Sequence, residues 1–164
     1  MRKRLTGLLL GAAALILAGC SAPSAPKVSF YADGDTVRAT PLIYCDVLVR
    51  QCDQAGNPAA LEVRPGIPVQ VSIPGEVAET PWKVIVQYRT ADGTMRYTRE
   101  TFTDGEQYAY TADPPGPHAQ ILVVEVQQLG AAYAADKQGN ALLDAAGNPQ
   151  LVARGVWSLQ VEPA

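Results

Sequence analysis

The chain has 164 residues, of which 13 are Lys or Arg and 16 are Asp or Glu, so its formal net charge is −3. This length is enough for one domain with a sizeable core, even after a leader is removed. The acidic balance argues against nucleic-acid binding and against a polybasic grip on anionic lipid headgroups.

A positive segment and an uncharged apolar run open the chain. Arg2 to Arg4 are all basic, and the run from Leu5 to Leu17 carries no charge, which is the order of a signal peptide. From Leu5 to Cys20 there are 16 residues, fewer than the ~18–20 that a transmembrane helix needs. The run ends in Leu17-Ala18-Gly19-Cys20, which resembles the lipobox of bacterial lipoproteins.

In that lipobox a peptidase cuts before a cysteine that carries a thioether-linked diacylglycerol. We therefore predict a cleaved lipoprotein signal peptide over residues 1–19, a lipidated Cys20 at the start of a flexible tether over 20–26, and a single domain over 27–164. Two acyl chains anchor a protein stably, and the tether reaches about 20 Å at full stretch. An ordinary secretory signal, which would release a soluble protein, is the alternative.

Cleavage changes the charge and leaves two cysteines. The leader removes three basic residues and no acidic ones, so 10 Lys and Arg remain against 16 Asp and Glu, a net charge near −6. Outside the cytoplasm, Cys45 and Cys52 favour a structural disulfide, worth about 2–3 kcal/mol for so short a loop. Two free thiols or half of a metal site are alternatives, but His118 is the only histidine and zinc needs more ligands.

Short strands and turns follow along the first half of the domain. Two strands are expected around the turn at Ala32-Asp33-Gly34-Asp35. Cys45 to Val49 has apolar residues at odd positions, which predicts a half-buried strand. Leu61 to Arg64 and Val69 to Ile73 both alternate, and we expect these two segments to be antiparallel partners.

The strongest strand signals lie in the second half. Trp82 to Tyr88 has large apolar residues at its even positions, so that face is expected in the core, with Trp82 as its largest member. Thr94 to Phe102 is β-branched and aromatic with interleaved charges. Ile121 to Val126 is the most apolar run of the mature chain and predicts a central strand. Val156 to Val161 alternates again.

These elements predict an all-β fold, an immunoglobulin-like antiparallel β-sandwich, with a barrel as the main alternative. Strands at intervals of roughly ten residues, separated by turn residues, are typical of sandwiches. Cys45 and Cys52 are too close in sequence to bridge opposing sheets as the antibody disulfide does. The core is expected around Trp82, Val84, Leu122, Val124 and Trp157.

The segment from Gly130 to Gln150 is rich in Ala, Gly and Asn, and connections this long are usually functional or mobile. It could be a long hairpin with its tip at Asp136 to Asn140, or it could contain a short helix at Ala141 to Ala146. Either form would protrude from one end of the domain. Its candidate binding residues are Tyr133, Asp136, Asn140, Asp144 and Asn148.

Within that segment a pattern of aspartate, glycine and asparagine repeats. Asp53-x-Ala-Gly-Asn-Pro58 recurs as Asp144-x-Ala-Gly-Asn-Pro149, with a looser copy at Asp136 to Asn140. Such oxygens suit calcium, but no glutamate closes a loop of the expected length. Gly and Asn tolerate positive φ, so the pattern predicts turns, and we expect no metal site.

Catalytic constellations are not assembled in the sequence. His118 lies in a proline-rich turn without a nucleophile elbow. The carboxylate pairs Glu76 with Glu79 and Asp33 with Asp35 lie in acidic turns, where solvated charge is the ordinary explanation. We therefore expect no enzyme and no cofactor. Tyr88, Tyr97, Tyr108, Tyr110 and Tyr133 could line a ligand groove, although aromatics on strands more often pack in cores or cross-strand pairs.

The chain resembles a family of actinobacterial exported lipoproteins classed as a domain of unknown function. The resemblance lies in Tyr44-Cys45-Asp46 with Cys52, in Ile73-Pro74 with Glu79-Thr80-Pro81-Trp82, and in the segment from Val124 to Gly130. It covers most of residues 27–161. It implies export and anchorage at the outer face of the cell membrane, and it supplies no catalytic residues.

Two functions are consistent with these expectations. The first is a non-catalytic envelope module that contacts another envelope protein or a cell-wall polymer through its end loops. The second is a carrier or sensor of a small apolar or lipid ligand, held in or beside the sandwich. The partner-binding function predicts exposed apolar residues on the 130–150 segment.

Overall fold

The computed structural model describes residues 24–54, 56–144 and 147–164. The expected signal peptide and the lipidated Cys20 lie outside the described residues, as does most of the tether. No helix in the described part of the chain is long and apolar enough to cross a membrane.

The described chain consists of strands with one short helix. In order the elements are β1 Val28–Ala32, β2 Asp35–Ala39, β3 Ile43–Cys45, β4 Cys52–Asp53, β5 Ala59–Val63, β6 Val69–Ser72, α1 Gly75–Ala78, β7 Trp82–Arg89, β8 Met95–Phe102, β9 Ala109–Ala112, β10 Gln120–Tyr133 and β11 Leu151–Pro163. The expectation of an all-β fold is confirmed.

The strands form two sheets. The smaller sheet has the order β2-β1-β6-β9, and the larger has the order β4-β3-β11-β10-β7-β8. The fifth strand, β5, also belongs to the larger sheet, because it pairs with the second half of β11. Every pairing is antiparallel except that of β5 with β11, which is parallel.

Both sheets contribute to one apolar core. From the smaller sheet come Phe30 and Val71, and from the larger come Trp82, Val124 and Trp157, all at most 1% exposed. Fully burying a side chain of this kind stabilises a fold by roughly 1.5–3 kcal/mol. The alternating pattern of each strand therefore explains which face turns inward.

An aromatic row joins the two sheets at one edge. Trp82 of β7 stacks on Phe102 of β8 with ring centroids 4.3 Å apart. Phe102 in turn meets Tyr110 of β9 edge to face at 6.0 Å. Such pairs contribute about 0.5–1.5 kcal/mol beyond area burial. The expectation that Trp82 heads the inward face of its strand is confirmed, and Val84 and Val86 are buried with it.

The expected central strand is also confirmed, with one correction. The run from Ile121 to Val126 lies in β10, between β7 and β11. Its pairing with β7 shifts register between Ile121 and Val123. Because a bulge of this kind changes which residue points inward, Ile121 is buried and Leu122, which we expected in the core, is partly exposed.

The expectation of a strand from Cys45 to Val49 is wrong. The third strand ends at Cys45, and the chain turns at once, with Val49 at a φ of 57°. Asp46 stabilises this turn, since its carbonyl oxygen accepts the Val49 N–H at 3.0 Å and its Oδ1 accepts the Arg50 N–H at 2.7 Å. Local side-chain hydrogen bonds of this type compete with strand formation.

The expected antiparallel partnership of Leu61–Arg64 with Val69–Ile73 is wrong as well. The first segment forms β5, which pairs with β11. The second forms β6, which pairs with β1 and β9 in the other sheet. The intervening Pro65-Gly66 turn carries Gly66 at a φ of 79°, and a Cβ there would lie 2.4 Å from the carbonyl oxygen of Pro117. The turn thus sends the chain from one sheet to the other.

In the described residues between β10 and β11, the chain forms neither a simple hairpin nor a helix. We call residues 134–150 the extension. It makes two tight turns, Asp136 to Asn140 and Asp144 to Asn148, joined by a short return segment. Two β-bridges flank these turns: Ala135 pairs with Ala141 across the first turn, and Leu143 pairs with Pro149 across the second. The alternative of a helix at 141–146 is wrong for the described residues 141–144, which are extended.

Candidate functional site

The extension is tied together by a ring of three backbone hydrogen bonds. Ala134 donates to Gln150, Gln150 donates to Leu142, and Leu142 donates to Ala134, each at 2.8 Å. The segments that contain Ala134, Leu142 and Gln150 are therefore each hydrogen-bonded to the other two. These three bonds pair backbone N–H and C=O groups with one another, and such groups are rarely left unpaired in folded proteins. The ring therefore explains how so polar a segment holds a defined conformation.

The candidate polar residues of the extension are used to build its turns. The Oδ1 of Asp136 accepts the Asn140 N–H at 2.9 Å, and Asn140 Nδ2 donates to Asp136 Oδ2 at 3.1 Å. In the second turn, Asp144 Oδ1 accepts the Asn148 N–H at 2.9 Å. The bonds of the first turn hold the pKa of Asp136 below its ordinary value of 3.8, and the side-chain bond from Asn140 is the largest cause. The prediction that this pattern forms turns is confirmed at Asp136 to Asn140 and by the bonds between Asp144 and Asn148. The copy from Asp53 to Pro58 includes residue 55, which lies outside the described residues.

The disulfide loop packs against the base of the extension. Cys45 and Cys52 form the disulfide, which closes the turn between β3 and β4. The carbonyl oxygen of Val47 accepts the Ala131 N–H at 2.9 Å. A Cβ on Gly130 would lie 2.7 Å from Val49 Cγ2, so only glycine allows this close approach.

A second set of contacts connects the start of the domain to the same region. Trp157 Nε1 donates to the carbonyl oxygen of Pro26 at 2.9 Å. Tyr44 packs edge to face on Trp157 at 6.0 Å, and the Arg154 guanidinium lies 5.3 Å from the centre of the Tyr44 ring. Arg154 Nη2 also donates to the Tyr44 hydroxyl at 3.1 Å. The last residue of the expected tether is thus held against the core.

From Pro26 the preceding residues run toward the extension. Ser24 and Ala25 line a shallow groove with Tyr44. Tyr44 pairs with Gly155, which is two positions closer to the extension than Trp157. The first strand leads the other way, since Asp33 at its far end forms an ion pair with Arg64, just after β5. The chain therefore enters the domain from the end that carries the extension and the disulfide loop.

Large apolar side chains are exposed at this end. Val47 and Leu48 on the disulfide loop are 55% and 48% exposed. Tyr133 at the end of β10 and Leu142 on the extension are 59% and 43% exposed. We call these four residues the tip surface. Tyr133, a candidate binding residue, belongs to it, whereas the other four candidates shape the turns behind it.

A groove lies between the extension and the outer face of the larger sheet. It has a volume of about 440 Å³, within the range of small-ligand sites. Its polar wall is formed by Lys83, Arg99, Thr101 and Thr103, and its apolar wall includes Leu129, Leu143 and Leu151. We call it the basic groove.

Strand register places the polar wall on one face. Lys83 of β7 lies opposite Thr101 of β8, and Ile85 lies opposite Arg99. Because side chains alternate along a strand, these residues share one face of the sheet. Burial lowers the pKa of Lys83 below its ordinary value of 10.5, the charge of Arg99 lowers it further, and Glu125 raises it. Lys83 is therefore partly desolvated beside a second positive charge, whereas Arg99 is exposed.

Other sequence candidates do not assemble into a site. His118, Glu76 and Glu79 are exposed, in the loop before β10 and on α1. Within the described residues, no group of three or more His, Cys, Asp or Glu side chains could hold a metal ion. Of the tyrosines, Tyr97 lines a small open groove with Met95, and none lines the basic groove.

Sequence reasoning missed the basic groove. Its signal was available, because the Thr90-Ala91-Asp92-Gly93-Thr94 turn fixes the hairpin register and hence the shared face of Lys83, Arg99 and Thr101. The sequence does not predict that the extension folds back over that face and brings Leu143 opposite the two cations. That contact depends on two turns made in succession.

Comparison with known proteins gives relatives whose functions are not described. Uncharacterised proteins of Mycobacterium tuberculosis and Mycobacterium bovis are each 29% identical over 126 residues, which cover 76% of this chain and 76% of the relative. No solved structure matches the chain significantly. The model of the family described as protein of unknown function DUF2771 matches residues 21–162. The chain belongs to that family.

Proposed function

We propose that this protein is a membrane-anchored cell-envelope lipoprotein that acts as a non-catalytic binding module. In this proposal a cleaved signal peptide and a lipid on Cys20 place the domain at the outer face of the cell membrane. The domain is an immunoglobulin-like β-sandwich, a reading supported by two antiparallel sheets around one core. The tip surface meets a protein partner of the envelope.

The observation that carries the proposal is the position of the tip surface at the end where the tether enters. Pro26 is held by Trp157, so a lipid on Cys20 would lie within about 20 Å of this fixed point, which is the reach of six extended residues. A partner embedded in the same membrane, or lying on it, is therefore within reach of Tyr133 and Leu142. Anchorage in one plane also raises the effective concentration of the two proteins.

The chemistry of the tip favours a protein partner over a cell-wall polymer. Its four residues are valine, leucine and tyrosine, which contribute to binding by burying apolar area. A hydrophilic polysaccharide would need hydrogen-bonding groups, and the side chains of Asp136, Asn140 and Asp144 already bond within their own turns.

Site-specific photocrosslinking in cells tests this proposal. A photoreactive amino acid at position 133 of the anchored protein should give one discrete crosslinked species. The double variant Tyr133→Ser with Leu142→Ser, probed from position 48, should lose that species by about tenfold, because most of the apolar contact is gone.

The matched control is Met95→Ser with Tyr97→Ser, which removes two equally exposed apolar side chains from β8. Those residues lie at the opposite end of the larger sheet, since Met95 pairs with Arg89 whereas Trp82 pairs with Gln128 beside the extension. Equal crosslinking in the tip variant and the control would overturn the proposal.

A second function is favoured by a different observation. The basic groove has the volume and the mixed lining of a small-ligand site. It lies beside the sheets, whereas the space between them is occupied by Trp82, Val124 and Trp157, which are fully buried. A carrier or sensor of a lipid-like ligand would therefore hold it on the outer face of the larger sheet.

A further inference from the structure

Two positive charges, those of Lys83 and Arg99, line the basic groove. Within the described residues, neither Lys83 nor Arg99 forms an ion pair; the ion pair present joins Arg64 and Asp33. Asp144 also lines the groove from the extension, where its Oδ1 accepts the Asn148 N–H. Glu125 acts on Lys83 only as a more distant charge.

Burial and the positive charge of Arg99 both disfavour the Lys83 ammonium, and Glu125 offsets them only in part, whereas Arg99 itself is exposed. An anion between the two cations would reduce their mutual repulsion and compensate the partial desolvation of Lys83. In a mature chain with a net charge near −6, such a local concentration of positive charge is a specific feature and not a general property of the surface.

The neighbouring groups indicate what kind of anion fits. Thr101 and Thr103 add two hydroxyl donors to the ammonium and guanidinium groups. This is more donors than the two oxygens of a carboxylate need, and it suits the three free oxygens of a phosphate monoester. The opposite wall offers Leu129, Leu143 and Leu151, which would cover an apolar chain attached to that phosphate.

We propose that the basic groove binds a phosphate-bearing amphiphile as a single molecule, with the phosphate between Lys83 and Arg99 and the apolar chain against Leu143. This inference rests on the second candidate function and names the chemistry of its ligand. It does not depend on the tip surface, so the two can fail separately.

Titration with simple probes tests the proposal. The protein is the full mature chain with Cys20→Ala, which removes the lipid and leaves every described residue unchanged. Decyl phosphate below its micellar concentration should bind saturably with one site, inorganic phosphate should bind more weakly at the same site, and decyl glucoside should not bind. Binding of decyl phosphate should weaken as salt is raised, because the attraction is screened.

Single substitutions test the polar wall and the apolar wall of the basic groove separately. Lys83→Gln and Arg99→Gln should each weaken decyl phosphate binding by about tenfold, whereas Arg38→Gln on β2, with the same change in net charge, should leave it unchanged. Leu143→Ser should weaken decyl phosphate binding without changing the affinity for inorganic phosphate. Circular dichroism of each variant verifies that it is folded.

A parallel experiment determines whether the basic groove binds a single amphiphile or the surface of a bilayer. Vesicles of phosphatidylcholine with and without phosphatidic acid are added to the same protein. If Lys83 and Arg99 are needed for vesicle binding while decyl phosphate does not bind, the groove recognises a membrane surface and the proposal is overturned. It is equally overturned if decyl phosphate binds with the same affinity to the Lys83→Gln, Arg99→Gln and wild-type chains.

Discussion

The pair formed by Asp33 and Arg64 connects the two sheets at the end remote from the extension. Asp33 occupies the turn between β1 and β2 with a φ of 52°. Arg64 follows β5, and its Nε donates to Asp33 Oδ2 at 2.8 Å. These hydrogen bonds lower the pKa of Asp33 from 3.8 to about 2. The Arg64 side chain is 66% exposed and that of Asp33 is 14% exposed. Solvent therefore screens the pair from the arginine side, and the pair locates the turn more than it stabilises the fold.

The lowered pKa gives a pH dependence with a definite sign. Because the folded chain binds this proton less readily than the unfolded chain, the contribution of Asp33 to stability is complete above about pH 4 and is lost as the pH falls through about 2. We predict that the difference in unfolding free energy between wild type and Asp33→Asn is constant from pH 7 to 5 and shrinks toward pH 2. Asparagine also tolerates positive φ, so it isolates the charge.

Urea unfolding at each pH, together with an NMR titration of the Asp33 carboxyl, measures this. A difference that grows as the pH falls, or an NMR pKa near 4, would show that the hydrogen bonds from Arg64 are not maintained in solution.

Among the secondary-structure elements, β11 is the strand that connects the extension to the rest of the larger sheet. It pairs with β10 along most of its length, and with β3 and then β5 on its other edge. Gly155 permits this because its neighbours are so close: a Cβ there would lie 2.6 Å from Trp157 Cη2 and 3.1 Å from Tyr44 Cδ2. The same Trp157 ring is fixed by its bond to Pro26, so it has little freedom to move away.

We predict that Gly155→Ala lowers the unfolding free energy by about 1–3 kcal/mol through overpacking. Gly75→Ala is the matched control, since the nearest atom to its Cβ is Glu79 Oε1 at 3.5 Å, and its effect should stay within about 0.5 kcal/mol. Thermal or urea unfolding of the two variants decides the point. Equal stability of both would mean that Trp157 and Tyr44 rearrange at no cost.

Which elements could be predicted from sequence follows from how local their causes are. The strand at Trp82 and the turns at Asp136 and Asp144 depend on residues within a few positions, and they were predicted. The pairing of β5 with β11 joins segments about a hundred residues apart, and no local pattern specifies it. The segment after Cys45 alternates like a strand, but the hydrogen bonds of Asp46 make it a turn.

The candidate site was predictable to a similar extent. Exposed apolar residues on the 130–150 segment were expected, and Tyr133, Leu142 and Leu143 are indeed exposed. The basic groove was not expected, because it requires the extension to return over β7 and β8. Its charges are visible in sequence, whereas their position beneath the extension is visible only in three dimensions.

Considered as a whole, the molecule has two ends with different character. At one end are the Asp33 turn and the end of β11. At the other are the disulfide loop, the extension and the point where the chain enters at Pro26. The basic groove opens beside that second end, along the face of β7 and β8. If Cys20 carries a lipid, Pro26 lies within about 20 Å of the membrane, at the end of the domain that carries the tip surface. This proximity is the basis of the first proposed function.

Metabolic labelling with alkyne-tagged palmitate therefore tests the central proposal most directly. The membrane fraction of labelled cells should contain a mature chain that begins at Cys20 and carries the tag, and Cys20→Ala should abolish both the tag and the membrane association. A mature protein that is untagged and released from the membrane, or a Cys20→Ala protein that keeps its tag, would contradict the anchored placement on which the account depends.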